Sequence, residues 1–184
     1  DFKASNKFYD NALTTAGVDD ANQDYMNGQV YYGFNNYLNP SNRITGYHFY
    51  YPESILAKDS IIKIINKGIS FLNYTGHGAS DGWLYLNIKT GDIASMTNKD
   101  MYPFIISNAC STSTFYTTGS FGNKMVTSQD KGAVGFIGCS DNSYWDEDYY
   151  WAVGTGAIAN DPKYETTGLG ALDRLFHTHG EAAS

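Results

Sequence analysis

The sequence predicts an α/β fold, a three-layer α/β/α arrangement around a mainly parallel central sheet. Three observations carry this. Ile69-Ser70-Phe71-Leu72-Asn73, Phe104-Ile105-Ile106 and Gly132-Ala133-Val134-Gly135-Phe136-Ile137-Gly138 are short runs without polar alternation, as in strands buried on both faces. Stretches with helical spacing lie between them. The chain has 184 residues and is 42% hydrophobic, enough for one domain with its own core.

Taken in order, Asp1 to Ala16 is read as helical, with Phe2, Phe8, Tyr9, Ala12 and Leu13 loosely on one side. Gly17 to Asn22 is a polar turn. Aromatic spacing over Tyr25–Leu38 suits an amphipathic helix, weakened by Gly28 and Gly33. Thr45 to Tyr51 reads as a strand. Residues 1–50 are nonetheless the least regular part. Pro52-Glu53-Ser54 opens a helix by N-capping, Ile55, Ile61, Ile62, Ile64 and Ile65 give it an apolar face, and Gly68 ends it. The first apolar strand then runs toward His77. A short helix at 90–97 precedes the second, which runs toward Cys110. Phe121–Ser128 is a helix, followed by the third strand. Tyr149–Ala159 and Gly168–Phe176 are the last helices, and 177–184 reads as a tail. There is no internal repeat.

Composition excludes several function classes. The net charge of −7 argues against nucleic acid and anionic membrane surfaces. No apolar run approaches the ~20 residues of a membrane span. Two cysteines, Cys110 and Cys139, are too few for a disulfide framework. Zinc is a poor fit, because His177 and His179 lack nearby partners. His48 reads as a packed residue in an aromatic strand. Asp81, Asp92, Asp100 and Asp141 are candidates for a structural calcium ion, without EF-hand spacing.

Ligand sites in open α/β sheets lie beyond the carboxyl ends of the strands. Three such ends carry chemistry here. The first ends in Tyr74-Thr75-Gly76-His77-Gly78, where the flanking glycines permit a tight turn. The second ends in Ser107-Asn108-Ala109-Cys110-Ser111, a cysteine among small polar residues rather than the apolar enclosure of an inert thiol. A histidine and a cysteine on neighbouring parallel strands suit a base and a thiol nucleophile. Beyond the third strand, Ser143 to Trp151 sets Asp146, Glu147 and Asp148 among five aromatic residues. The acids match a helix N-terminus, and also a pocket that binds a Lys or Arg side chain by charge and cation–π contact.

These residues resemble the gingipain family of bacterial cysteine peptidases, in the caspase-like clan. The resemblance rests on Asn73 to Gly78, Asn108 to Phe115, Phe121-Gly122, Lys131-Gly132-Ala133, and Asn142 to Trp145 through Asp148 to Gly154. It implies a caspase-like fold, with Cys110 as nucleophile and His77 as its base and the acid for the leaving amine. An upstream acid orients that histidine in the family; Asp19 is the best local match and Asp20 the second. Backbone amides of Gly78 and Cys110 would form the oxyanion hole. Asp148 falls where Lys-specific members place the carboxylate that meets the substrate lysine, with Tyr144, Trp145 and Thr75 completing the substrate site.

The expected function is therefore a cysteine endopeptidase acting after basic residues, Lys in particular, on protein or peptide substrates. No cofactor is needed for that chemistry, and the expected location is secreted or on the bacterial surface. Family members carry a larger catalytic unit, so one subdomain of a longer precursor is expected here. The rival readings are a non-catalytic extracellular module that binds peptide or glycan, and a transpeptidase using the same thiol. A Cys110–Cys139 bridge would defeat the enzyme reading.

Overall fold

The computed structural model describes residues 7–176, so the expected tail lies outside the described residues. The strands are β1 (Asn11–Ala16), β2 (Thr45–Phe49), β3 (Phe71–Thr75), β4 (Gly78–Ala79), β5 (Gly82–Trp83), β6 (Ile88–Lys89), β7 (Phe104–Asn108) and β8 (Gly135–Gly138). The helices are α1 (Gln23–Asn36), α2 (Lys58–Lys67), α3 (Thr90–Ile93), α4 (Phe121–Thr127), α5 (Trp145–Val153) and α6 (Ala171–Phe176). Five strands form one sheet in the order β2-β1-β3-β7-β8, every pair parallel. The short β4, β5 and β6 make a separate antiparallel sheet.

Neighbouring residues on the central strands serve opposite faces. Leu13, Leu72 and Ile105 join one core with Ile61 and Ile65 of α2 and Phe121 and Met125 of α4. Ala12, Phe71 and Ile106, each one position away, join the other with Tyr32 of α1, Tyr149 and Val153 of α5, and Leu172 of α6. This is why the runs lack polar alternation: both faces are covered. Each fully buried Leu or Ile contributes about 1.5–3 kcal/mol relative to an exposed one.

The N-terminal part differs from the sequence expectation. Asn11–Ala16 is a strand, not part of a helix, and residues 1–50 contribute β1, α1 and β2 rather than an irregular segment. β1 lies between β2 and β3, with Thr14 and Thr15 3% and 0% exposed. Pairing on both sides and β-branched Thr outweigh the helical leaning of Ala and Leu. The helix expected from Pro52 is also divided. Ser54 turns inward and donates to the Gly17 carbonyl at 3.2 Å instead of capping, so Glu53–Leu56 is a 3-10 turn and α2 begins at Lys58. β8 is an edge strand rather than a buried one, with Ile137 45% exposed.

Because the sheet is parallel, the carboxyl ends of β1, β3, β7 and β8 deliver four loops to one edge. They carry Asp19, His77, Cys110 and the segment leading into α5.

Candidate active site

Asp19 and His77 meet because two loops pack flush. Gly17 donates to the Thr75 carbonyl at 2.7 Å, and a Cβ on Gly76 would stand 2.7 Å from the Gly17 Cα. Side chains at either position would push the loops apart. Their contact sets His77 Nε2 2.9 Å from Asp19 Oδ2. A carboxylate only accepts, so Nε2 carries the hydrogen and Nδ1 is left as the ring's acceptor. Burial alone would raise the Asp19 carboxyl. Hydrogen bonds from Asn22, His77 and the Ala21 amide, with the charge of His77, outweigh it and hold Asp19 below its ordinary value. The imidazole is flanked edge-on by Trp145 and Tyr85, at centroid distances of 5.2 and 5.4 Å. Its peptide is fixed by Tyr74, whose hydroxyl donates to the His77 carbonyl at 2.7 Å.

Cys110 sits on a sharp turn after β7. Ser111 is left-handed at φ 58°, a costly conformation for a residue with a Cβ. The turn is anchored from below: Trp83 Nε1 donates to Ser107 Oγ at 2.9 Å, and Ser107 Oγ bonds Thr112 Oγ1 at 3.0 Å. Both cysteines are free thiols. The Cys110 Sγ donates to the Ser143 carbonyl at 3.5 Å and accepts from the Ser143 amide at 3.4 Å. That amide would also stabilise a thiolate.

Gly78 packs against this turn, and a Cβ on it would stand 2.5 Å from the Cys110 carbonyl oxygen. The glycines around His77 thus admit other protein segments, Gly17 on one side and Cys110 on the other. Leu84 donates to the His77 carbonyl at 3.0 Å, which makes Gly78 and Trp83 a non-hydrogen-bonded pair. The Gly78 amide is therefore not spent on the β4–β5 ladder. Among the described residues the Cys110 amide has no backbone acceptor either.

His77 and Cys110 share a cavity of about 120 Å³ with Trp145, Ser143 and Asp148. Ser143 and Asp148 also wall a second cavity of about 350 Å³, completed by Tyr144, Glu147, Trp151 and Cys139 among others. Asp148 thus stands between the thiol and an acidic, aromatic hollow. Burial pushes its carboxyl up to about 6, against a hydrogen bond from Ser143 that lowers it, and Glu147 adds to the rise.

Comparisons with known proteins identify the family. Residues 3–182 match the profile of Peptidase family C25. The chain belongs to peptidase family C25. Lys-gingipain W83 of Porphyromonas gingivalis is 35% identical over 172 residues, covering 92% of this chain and 10% of that protein. Gingipain R2 of the same species is 33% identical over 91 residues, 47% of this chain and 12% of that protein. The C25 chain thus spans about a tenth of these relatives. A solved protease structure superposes with a TM-score of 0.84 at 34% identity, covering 92% of this chain and 38% of that one. The crystal structure of the Arg-specific cysteine proteinase gingipain R superposes with a TM-score of 0.63 at 22% identity, over 79% of this chain and 35% of that one. The gingipain and α/β expectations hold.

The cluster at the strand ends gathers most of the residues expected from the sequence. Asp19, rather than Asp20, reaches His77; Asp20 instead accepts from the Tyr51 hydroxyl. Tyr144 and Asp148 line the larger cavity, and Asp148 and Trp145 wall the smaller one beside His77. Thr75 belongs to neither. It is fully buried, and its hydroxyl accepts from Gln29 Nε2 at 2.9 Å within a network that continues to Asn108. Strand alternation turns Thr75 toward α1, away from the cavities. Ser143, Glu147 and Trp151 were not singled out as wall residues. Trp151 stands three positions after Asp148 on α5, so helical spacing from Asp148 is the signal that points to it. The calcium candidates are not gathered: Asp81 accepts from Lys89, and Asp92 pairs with Lys58 at 3.0 Å. Among the described residues no group of three or more His, Cys, Asp and Glu is placed to hold an ion.

Proposed function

We propose that this chain carries the thiol site of a gingipain-type endopeptidase that cleaves peptide bonds after lysine. The observation that carries the reading is that Ser143 and Asp148 wall both cavities: one holds His77 and Cys110, and the other Tyr144, Glu147 and Trp151. A lysine side chain laid through the larger cavity would place its ammonium against Asp148 and Glu147 and its methylenes against Tyr144 and Trp151. Its carbonyl carbon would then lie over Cys110 Sγ.

In this reading His77 Nδ1 takes the thiol proton while Asp19 steadies the imidazolium through Nε2. The sulfur attacks the carbonyl carbon, and the Gly78 and Cys110 amides donate to the developing oxyanion. The C–N bond breaks as the imidazolium protonates the departing amine. Water, deprotonated by the same imidazole, then hydrolyses the thioester and restores the thiol. The substrates are proteins or peptides containing lysine. The chain works alongside further domains of its precursor, outside the cell or at its surface.

Labelling with a lysyl acyloxymethyl ketone, read by peptide mass spectrometry, tests nucleophile and specificity together. Modification at Cys110, much weaker with an arginyl or leucyl analogue, is expected. Equal labelling by all three, or labelling at Cys139, would overturn the reading.

A further inference from the structure

A third cavity borders the nucleophile; it shares Asn142 with the larger cavity but is not lined by Asp148. It measures about 320 Å³ and is lined by Gly78, Ser80, Cys110, Tyr116, Thr117 and Asn142, among others. No charged residue stands in its wall. The side chains of Ser80, Tyr116, Thr117 and Asn142 hold no hydrogen bond to the protein among the described residues. The rim is built rather than loose: the Thr114 hydroxyl donates to the Ser111 carbonyl at 2.6 Å, and the Thr117 amide donates to the Thr114 carbonyl at 3.3 Å.

We propose that this cavity is the leaving-group subsite, and that it selects a neutral, hydrogen-bonding side chain on the residue that follows the scissile bond. The inference rests on the lysine-peptidase reading. With the acyl-side lysine lying toward Asp148 and its carbonyl oxygen at the Gly78 and Cys110 amides, the departing chain passes over Gly78 into this hollow. Its wall offers the hydroxyls of Ser80, Ser111 and Thr117, a phenol and a carboxamide, with the Thr114 hydroxyl already bonded. Ser, Thr, Asn or Gln would exchange bonds to water for bonds to these groups. A carboxylate would find no cation there, in a chain of net charge −7, and an ammonium would find no carboxylate. A leucine would displace water from these groups and return no hydrogen bond to them.

The test is kcat/KM for lysine peptides that differ only in the residue after the scissile bond (Ser, Asn, Gln, Leu or Glu). It uses the wild type and the double variant Ser80→Ala/Thr117→Val. The neutral polar residues are expected to be favoured over Leu and Glu by roughly tenfold, the size of one or two net hydrogen bonds. The variant should lose most of that preference. An Nα-acyl-lysine methyl ester serves as reference, because its methanol leaving group is too small to reach those walls. The variant should turn it over like the wild type, which also reports an intact fold. Equal rates across the series in the wild type, or an unchanged preference in a variant that cleaves the ester, would overturn the subsite. Failure of the wild type to cleave the ester would overturn the lysine-peptidase reading and the subsite with it.

Discussion

Cys110 and Cys139 occupy matching places and have opposite surroundings. Each follows the carboxyl end of a parallel strand, β7 and β8, and each is a free thiol of intermediate exposure. Cys110 shares its cavity with an imidazole and receives the Ser143 amide. Cys139 has no such base: burial first, then the negative charge of Asp148, push its thiol above the usual value. Position at a strand end is therefore not what makes a thiol a nucleophile. The loops from β1 and β3, which reach Cys110 through His77, supply the difference.

The comparison breaks most sharply under substitution of the thiols themselves. Cys110→Ala should lower kcat on a lysine peptide by about 10⁴-fold or more, whereas Cys139→Ala should keep kcat within the same order. Steady-state kinetics on both variants decides it; comparable losses would mean that the two strand ends cooperate. The next effect belongs to the carboxylate lying between the two thiols. Asp148→Asn should cut the preference for lysine over a neutral isostere such as norleucine by about 10²-fold, the scale of an opposed charge removed from a desolvated pair. The expected change is in the ratio of kcat/KM values, and an unchanged ratio would assign lysine recognition to Glu147 alone.

Removal of the third group separates the surroundings of the thiols again. Asp19→Asn leaves Cys139 untouched and loosens the base of Cys110. His77 and Asp19 side chains are 37% and 18% exposed, so water replaces part of what the carboxylate provides. A fall in kcat of about 10- to 100-fold is expected. That is less than the ~10⁴-fold typical when a fully buried orienting aspartate is neutralised. KM should change little. A loss confined to KM would place Asp19 in substrate binding instead.

The same contrast explains what the sequence made legible. His77 and Cys110 were readable because continuous apolar runs such as Phe104-Ile105-Ile106 mark two-sided burial, and parallel strands expose their carboxyl ends. Asp19 was readable only through family resemblance. Its approach to His77 depends on β1 lying against β3, and Asn11–Ala16 hides its strand character behind Ala, Leu and Asn. Thr75 was misplaced because one position along a strand reverses the face, and a motif does not reveal which face a ligand uses. The apolar content of β8 spoke for burial, but nothing local distinguishes an edge strand from a central one. Helix spacing on α5 did carry information, since Glu147, Asp148 and Trp151 converge on one cavity.

The smallest expected effect is a pH dependence that isolates Asp148 from the catalytic pair. Its folded pKa, about 6, lies above the ordinary carboxylate value because of burial, so the folded chain holds this proton more tightly than an unfolded one does. Ionising it in the empty cavity therefore costs stability as pH rises through the window from about 4 to 6. The same ionisation is what a lysine ammonium requires. Measured as kcat/KM, which reports the free enzyme, the preference for lysine over norleucine should be full above about pH 7. It should fall about tenfold by pH 5, one unit below the folded pKa. Any pH effect common to both substrates cancels in the ratio. Cys139 draws part of its raised value from the Asp148 charge, so its alkylation near pH 8 should quicken in Asp148→Asn. A lysine preference that is flat from pH 5 to 8 would mean that Asp148 is already ionised at pH 5, its charge offset by a donor such as Ser143.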